Sequence, residues 1–167
     1  MKYMKKCLFL LLMLISVNVM GQNLNYAKRE NGLLMLSNVE RIDSVSSSEL
    51  YRRALLWVTD VYKNPKAVIQ TQDADAGILV IMGNISGATQ TKLKHKLTLE
   101  FKNGRYKWTI SDILMIYPPM FNMPDKSAEE VPRYNKYEDD VNLKRLEDDF
   151  ITYIDSFRSS LSEGEDW

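Results

Sequence analysis

Apolar side chains recur at helical spacing from Leu50 onward: Leu50, Ala54, Leu55, Val58, Val61 and Tyr62 share one face, with Trp57 on its border. Ser46 and Glu49 have the Ser-x-x-Glu spacing of a capping box, so a helix is predicted to start after Ser44-Val-Ser-Ser-Ser48. It stops before Asn64-Pro65, because the residue ahead of a proline is pushed out of the α region. A second stripe, Leu143, Leu146, Phe150, Tyr153, Ile154, Phe157 and Leu161, predicts a last helix. Its start falls near Glu138-Asp-Asp140, charges that suit a helix N-terminus.

The remaining pattern is of strand type. A first strand is expected within Leu33 to Ile42, a short β-type run over Ala67 to Gln72, and an apolar, β-branched strand over Ile78 to Ile85. Lys92 to Phe101 and Arg105 to Ile116 alternate on either side of Asn103-Gly104, which calls for a two-residue type I′ hairpin. Counting outward from Lys102 opposite Arg105 places Phe101 on Tyr106, Leu99 on Trp108, Leu97 on Ile110 and His95 beside Asp112. The other face carries Glu100 opposite Lys107, Thr98 opposite Thr109, Lys96 opposite Ser111 and Lys94 opposite Ile113. An apolar face backed by a polar one means a sheet covered on one side only. The expected order β-α-β-β-β-β-α is an α+β domain over 33–161, with two helices on one face of an antiparallel sheet. The span 117–137 holds four prolines and reads as a connection without regular structure.

The chain ends fall outside that pattern. Lys2, Lys5 and Lys6 precede an apolar run from Cys7 through about 13 residues, and Val19 and Gly21 are small residues at a cleavage position. Residues 1–21 therefore read as a signal peptide cut near Gly21, the product being periplasmic or secreted. The run falls short of the ~20 residues that span a bilayer, which disfavours an uncut anchor, and no interior stretch would supply a second span. Residues 22–32 read as a leader and 162–167 as an acidic tail. Loss of the first segment would leave 19 basic against 22 acidic residues, a balance that argues against nucleic acid as a partner. Cys7, the one cysteine, would leave too, excluding disulfides, a thiol nucleophile and Cys-based zinc sites.

The segments Ser48-Glu-Leu-Tyr51, Ala54, Trp57-Val58, Pro65-Lys-Ala-Val-Ile-Gln70 and Asp75-Ala-Gly77, with Arg105-Tyr106 and Asp112, resemble an exported Bacteroidota family of unknown function described as having a TBP-like fold. The resemblance spans Leu33 to Met115 and implies two helices on one face of a curved antiparallel sheet. It implies no activity and no functional residues, and fold alone does not set function.

Candidate chemistry is sparse. His95 opposite Asp112 has the elements of an acid–base dyad, yet the chain has no second histidine and no nucleophile motif. A hydrogen-bonded structural pair is the simpler expectation. Asp73-x-Asp75-x-Gly77 resembles half of a calcium loop, but no acidic residue follows in Ile78 to Ile85, so a turn is expected and no metal or cofactor. Lys94, Lys96, Thr98, Lys107 and Thr109 share the uncovered face. That face is either a solvated surface or a platform for a protein, a glycan or a small anionic ligand. Tyr117, Met120, Phe121 and Met123 in the proline-rich loop form either a docking patch for a partner or a cover folded back over a sheet edge. The function expected is a non-catalytic binding module using the open face or that loop. A hydrolase built on His95 and Asp112, and a small-ligand carrier with a pocket between sheet and helices, are the alternatives.

Overall fold

The architecture grows outward from the hairpin closed by Asn103 and Gly104. A computed structural model describes residues 26–87, 90–130 and 136–162. Seven strands, β1 (Ala27–Glu30), β2 (Leu33–Arg41), β3 (Ile69–Asp73), β4 (Ile78–Ser86), β5 (Lys92–Lys102), β6 (Arg105–Ile116) and β7 (Lys126–Ser127), form one antiparallel sheet. Their order is β1-β2-β6-β5-β4-β3, with β7 on the far end of β6. The helices are α1 (Ser47–Val61), α2 (Pro65–Val68) and α3 (Lys136–Ser162). The fold is thus α+β with an open antiparallel sheet, as the element pattern requires.

One face of the sheet is apolar by strict alternation and carries α1 and α3. Leu79 and Ile81 of β4, Leu97, Leu99 and Phe101 of β5, and Tyr106, Trp108 and Ile110 of β6 are buried beneath Leu50, Ala54, Trp57 and Val58 of α1 and Phe150, Ile154 and Phe157 of α3. Each such side chain contributes about 1.5–3 kcal/mol by leaving water. The helices meet through Trp57, whose ring lies 5.0 Å from that of Phe157 and whose Nε1 donates to Ser156 Oγ at 3.2 Å.

Ser46 caps α1 by accepting from the Glu49 amide at 3.2 Å, but only half of the capping box forms. The Glu49 carboxylate turns instead to Arg52 and Arg53, which hold it well below the ordinary range at about 2. Pro65 opens α2 at a position where its missing amide costs nothing, so the run expected as strand from Ala67 begins as a helical turn and becomes β3 only at Ile69.

The 22–32 segment is not merely a leader. Residues 27–30 form β1, joined to β2 by Asn31-Gly32 with both residues at positive φ (51° and 82°), as a type I′ turn demands. At the second Asn-Gly only Gly104 has positive φ, so that turn is not type I′. Neighbours claim this turn: the Asn103 side-chain Oδ1 accepts from the Ser47 amide, and the Gly104 backbone pairs with Ile42 and Val45. The connection after Ile116 also holds more structure than expected, with single 3-10 turns at Pro119–Phe121 and Ala128–Glu130 on either side of β7. The signal-peptide reading of 1–21 and the tail residues 163–167 lie outside the described residues. No described helix is long and apolar enough to cross a membrane.

Candidate functional site

The β5–β6 register runs as counted from the turn as far as Lys96 opposite Ser111, and then slips. Lys94 pairs with Leu114 rather than Ile113, so β6 carries one extra residue and Asp112 and Ile113 together oppose His95. Asp112 sits at φ 53° with its side chain on the open face, ion-paired to Lys96 at 2.5 Å, while Ile113 turns into the core. Neither the hydrogen-bonded structural pair expected of His95 and Asp112 nor the alternative acid–base dyad forms: the two side chains lie on opposite faces of the sheet. His95 is fully buried beside Phe150 and Tyr153, opposite Gly83 of β4. Its Nδ1 lies 3.1 Å from the Leu93 carbonyl, so the tautomer that bonds carries the proton there, and Nε2 has no hydrogen-bond partner. Burial lowers its pKa to about 4. A buried, neutral ring with no carboxylate against it among the described residues gives no support to a hydrolase built on His95 and Asp112.

Asp73 to Gly77 is a hairpin turn between β3 and β4. Asp73 Oδ1 accepts from the Ala76 amide at 2.8 Å, and Gly77 at φ 66° places its Cβ direction against the Phe101 carbonyl.

On the open face, Lys94, Lys96, Thr98, Lys107 and Thr109 are brought together in adjacent rows of β5 and β6. Two of the lysines are already matched, Lys96 to Asp112 at 2.5 Å and Lys107 to Glu100 at 3.1 Å. Lys94, toward the far end of β5, has no ion pair among the described residues, and three more cations meet at the hairpin end, in residues the sequence reading did not single out as a group. Arg41 of β2 lies directly across from Arg105 of β6, which lies across from Lys102 of β5. None of the three has an ion pair among the described residues. Like charges placed directly opposite each other cost a sheet stability, and no acid in this row offsets that cost.

Beside the cations runs an apolar stripe. Ile78, Val80 and Met82 of β4 point to the open face, half-exposed, in rows with Glu100, Thr98 and Lys96, and Val39 of β2 is 56% exposed next to Lys107. At the centre, Thr98 pairs with Thr109, whose hydroxyl oxygen is out of solvent and has no hydrogen-bond partner. Every aromatic residue of these strands faces the helices instead: Phe101, Tyr106 and Trp108 are buried.

In the proline-rich loop, Tyr117 is half-buried, whereas Met120, Phe121 and Met123 are 76, 46 and 45% exposed. They follow the far end of β6, the end opposite the row of Arg41, Arg105 and Lys102.

A buried cluster escaped the sequence reading altogether. Glu40 of β2 accepts from Tyr106 Oη at 2.6 Å, from Trp108 Nε1 at 2.7 Å and from Arg158 of α3 at 2.7 Å. Burial pushes the Glu40 carboxyl up, but these hydrogen bonds outweigh it and hold the carboxyl below its ordinary range. All its acceptor sites face donors, so it ties α3 to the sheet and leaves nothing for a substrate. Its position was legible as the inward end of Leu34, Leu36, Asn38, Glu40.

The family model of a domain of unknown function with a TBP-like fold (DUF4468) matches residues 37–115. A crystal structure of a DUF4468 family protein from Bacteroides ovatus ATCC 8483 superposes with a TM-score of 0.62, at 17% identity, over 84% of this chain and 93% of that one. A TBP-like protein from Parabacteroides distasonis ATCC 8503 gives 0.59 at 16% identity, over 83% and 99%. At these identities the likeness is one of fold. No curated protein matches the chain.

Proposed function

We propose that this chain, which carries the TBP-like domain of unknown function DUF4468 over residues 37–115, is an exported, non-catalytic module that binds an acidic protein surface through its open sheet face. The observation that carries the reading is the row Arg41, Arg105, Lys102 on the same face as the partly exposed stripe Ile78, Val80 and Met82 of β4, with Val39 exposed across the sheet on β2. Apolar contacts with arginines at their margin are the composition of a protein interface. A glycan or a single-stranded nucleic acid would want aromatic rings for stacking, and these strands place none on that face. Export rests on the basic and apolar pattern of residues 1–21.

The test is affinity capture from a cell-envelope extract with the wild type beside the triple variant Arg41→Glu, Lys102→Glu, Arg105→Glu. The expected outcome is an acidic protein held by the wild type, released by raised salt because exposed charges are screened, and lost by the variant. The variant's melting temperature should stay within a few degrees, as the three side chains make no contacts that the fold depends on. A partner retained equally by the variant would overturn the reading, as would capture of anionic lipid or glycan alone.

A further inference from the structure

The bulge that separates Asp112 from His95 also opens a cleft on the helix-covered side of the sheet. Strands β2 and β6 are paired only from Leu36–Ile110 to Arg41–Arg105, and beyond the extra residue β6 departs. The amide of Leu34 therefore has no strand partner on that side and donates to Glu129 Oε1 at 3.1 Å, from the turn that follows β7. Between the separating strands, that turn and α3 lies a cavity of about 520 Å³. Its walls are Leu34 and Met115 from the sheet, Ala128 from the turn, and Leu143 and Leu146 from α3.

We infer that this cleft binds a compact hydrophobic carboxylate, its hydrocarbon body against these walls and its anionic end at Arg145. The volume lies in the range of small-molecule sites, which are mostly apolar with a few polar groups that fix orientation. Arg145 lines the cavity, is exposed, and makes no ion pair among the described residues. Arg29 and Asp149 line it as well, and Arg29 acts on the nearby Glu129 carboxyl, so the cation left for an anionic ligand is Arg145. Thr91, Asn142 and Tyr117 also line the cavity, but the leucine and methionine wall would leave part of a sugar's or nucleotide's hydrogen-bonding groups buried without partners, at a cost per group. The loop whose two ends, Tyr117 and Ala128, both line the cavity exposes Met120, Phe121 and Met123, an apolar margin beside the entrance. The site is independent of the open face, since the two lie on opposite sides of the sheet.

The experiment is calorimetric and thermal titration of the purified protein with decanoate, and with decanol as an uncharged probe of the same chain length. Saturable binding of decanoate is expected, with Tm rising by about 5–10 °C at a hundredfold excess over Kd. Arg145→Glu, at an exposed site, should weaken decanoate at least tenfold and leave decanol unchanged. Asn142→Trp, which places an indole at the cavity wall, should weaken both. Absence of saturable binding overturns the inference, as does binding that neither variant alters. Decanol bound as tightly as decanoate, with no effect of Arg145→Glu, overturns the assignment of an anionic ligand.

Discussion

Among the described residues, uncharged neighbours surround the His95 ring. Phe150 and Tyr153 of α3 flank it, Gly83 of β4 lies opposite, and Tyr62 reaches over Gly83 to share a 2.7 Å hydrogen bond with Tyr153. Both phenols are pushed upward by burial and stay neutral. Burial lowers the His95 pKa to about 4, below the ordinary 6.5, so between these values the unfolded chain binds a proton that the folded one refuses. Stability is then flat above pH 6.5 and falls as pH drops toward 4, by on the order of 3 kcal/mol in all. The carboxyls with lowered pKa among the described residues, Glu40, Glu49 and Glu129, add their own loss only below about their ordinary 4.5. Urea denaturation at pH 5, 6 and 7.5 should therefore show a slope that His95→Phe removes; a slope unchanged in that variant contradicts a buried neutral imidazole. Gly83 is tied to the same spot, because a Cβ there would stand 2.1 Å from Tyr62 Oη. Gly83→Ala should cost about 1–3 kcal/mol as Tyr62 is displaced. Adding Tyr62→Phe should recover part of that loss, a coupling that a double-mutant cycle measures.

At the level of elements, both principal helices and the central hairpin were legible because periodicity and capping are local. Two features were not read, for different reasons. Asn31-Gly32 carries the same hairpin signature as Asn103-Gly104 and fulfils it more fully, but β1 is only four residues long and mostly polar, so no alternation drew attention to it. The bulge was readable in part: after Trp108 and Ile110 the next inward position is an aspartate, followed by Ile113-Leu-Met-Ile116, a break in alternation that an extra residue repairs. Asp112 in the left-handed region is the element's weak point. Asp112→Gly should be close to neutral, whereas Asp112→Val should cost about 1–2 kcal/mol for the backbone conformation alone. The exposed pair with Lys96 is lost in both and accounts for little. Equal melting temperatures for the two variants would mean that the bulge is held by something other than this residue's φ.

On the scale of the whole molecule, the sequence placed Lys94, Lys96, Thr98, Lys107 and Thr109 on one face, since hairpin register is a local matter. It could not place Arg41 beside Arg105, or Ile78, Val80 and Met82 beside β5, because those neighbours depend on strand order. Glu100 and Asp112 match two of the lysines within the hairpin itself, and strand order adds Arg41 to the unmatched cations at the hairpin end. The face is then a mixed apolar and cationic surface rather than a simple electrostatic platform. The most direct test is methyl NMR of the protein titrated with its captured partner. The account predicts shifts at Val39, Ile78, Val80 and Met82, with Met120 and Met123 unmoved. Shifts confined to Met120 and Met123, with the sheet methyls silent, would place binding on the loop and contradict it.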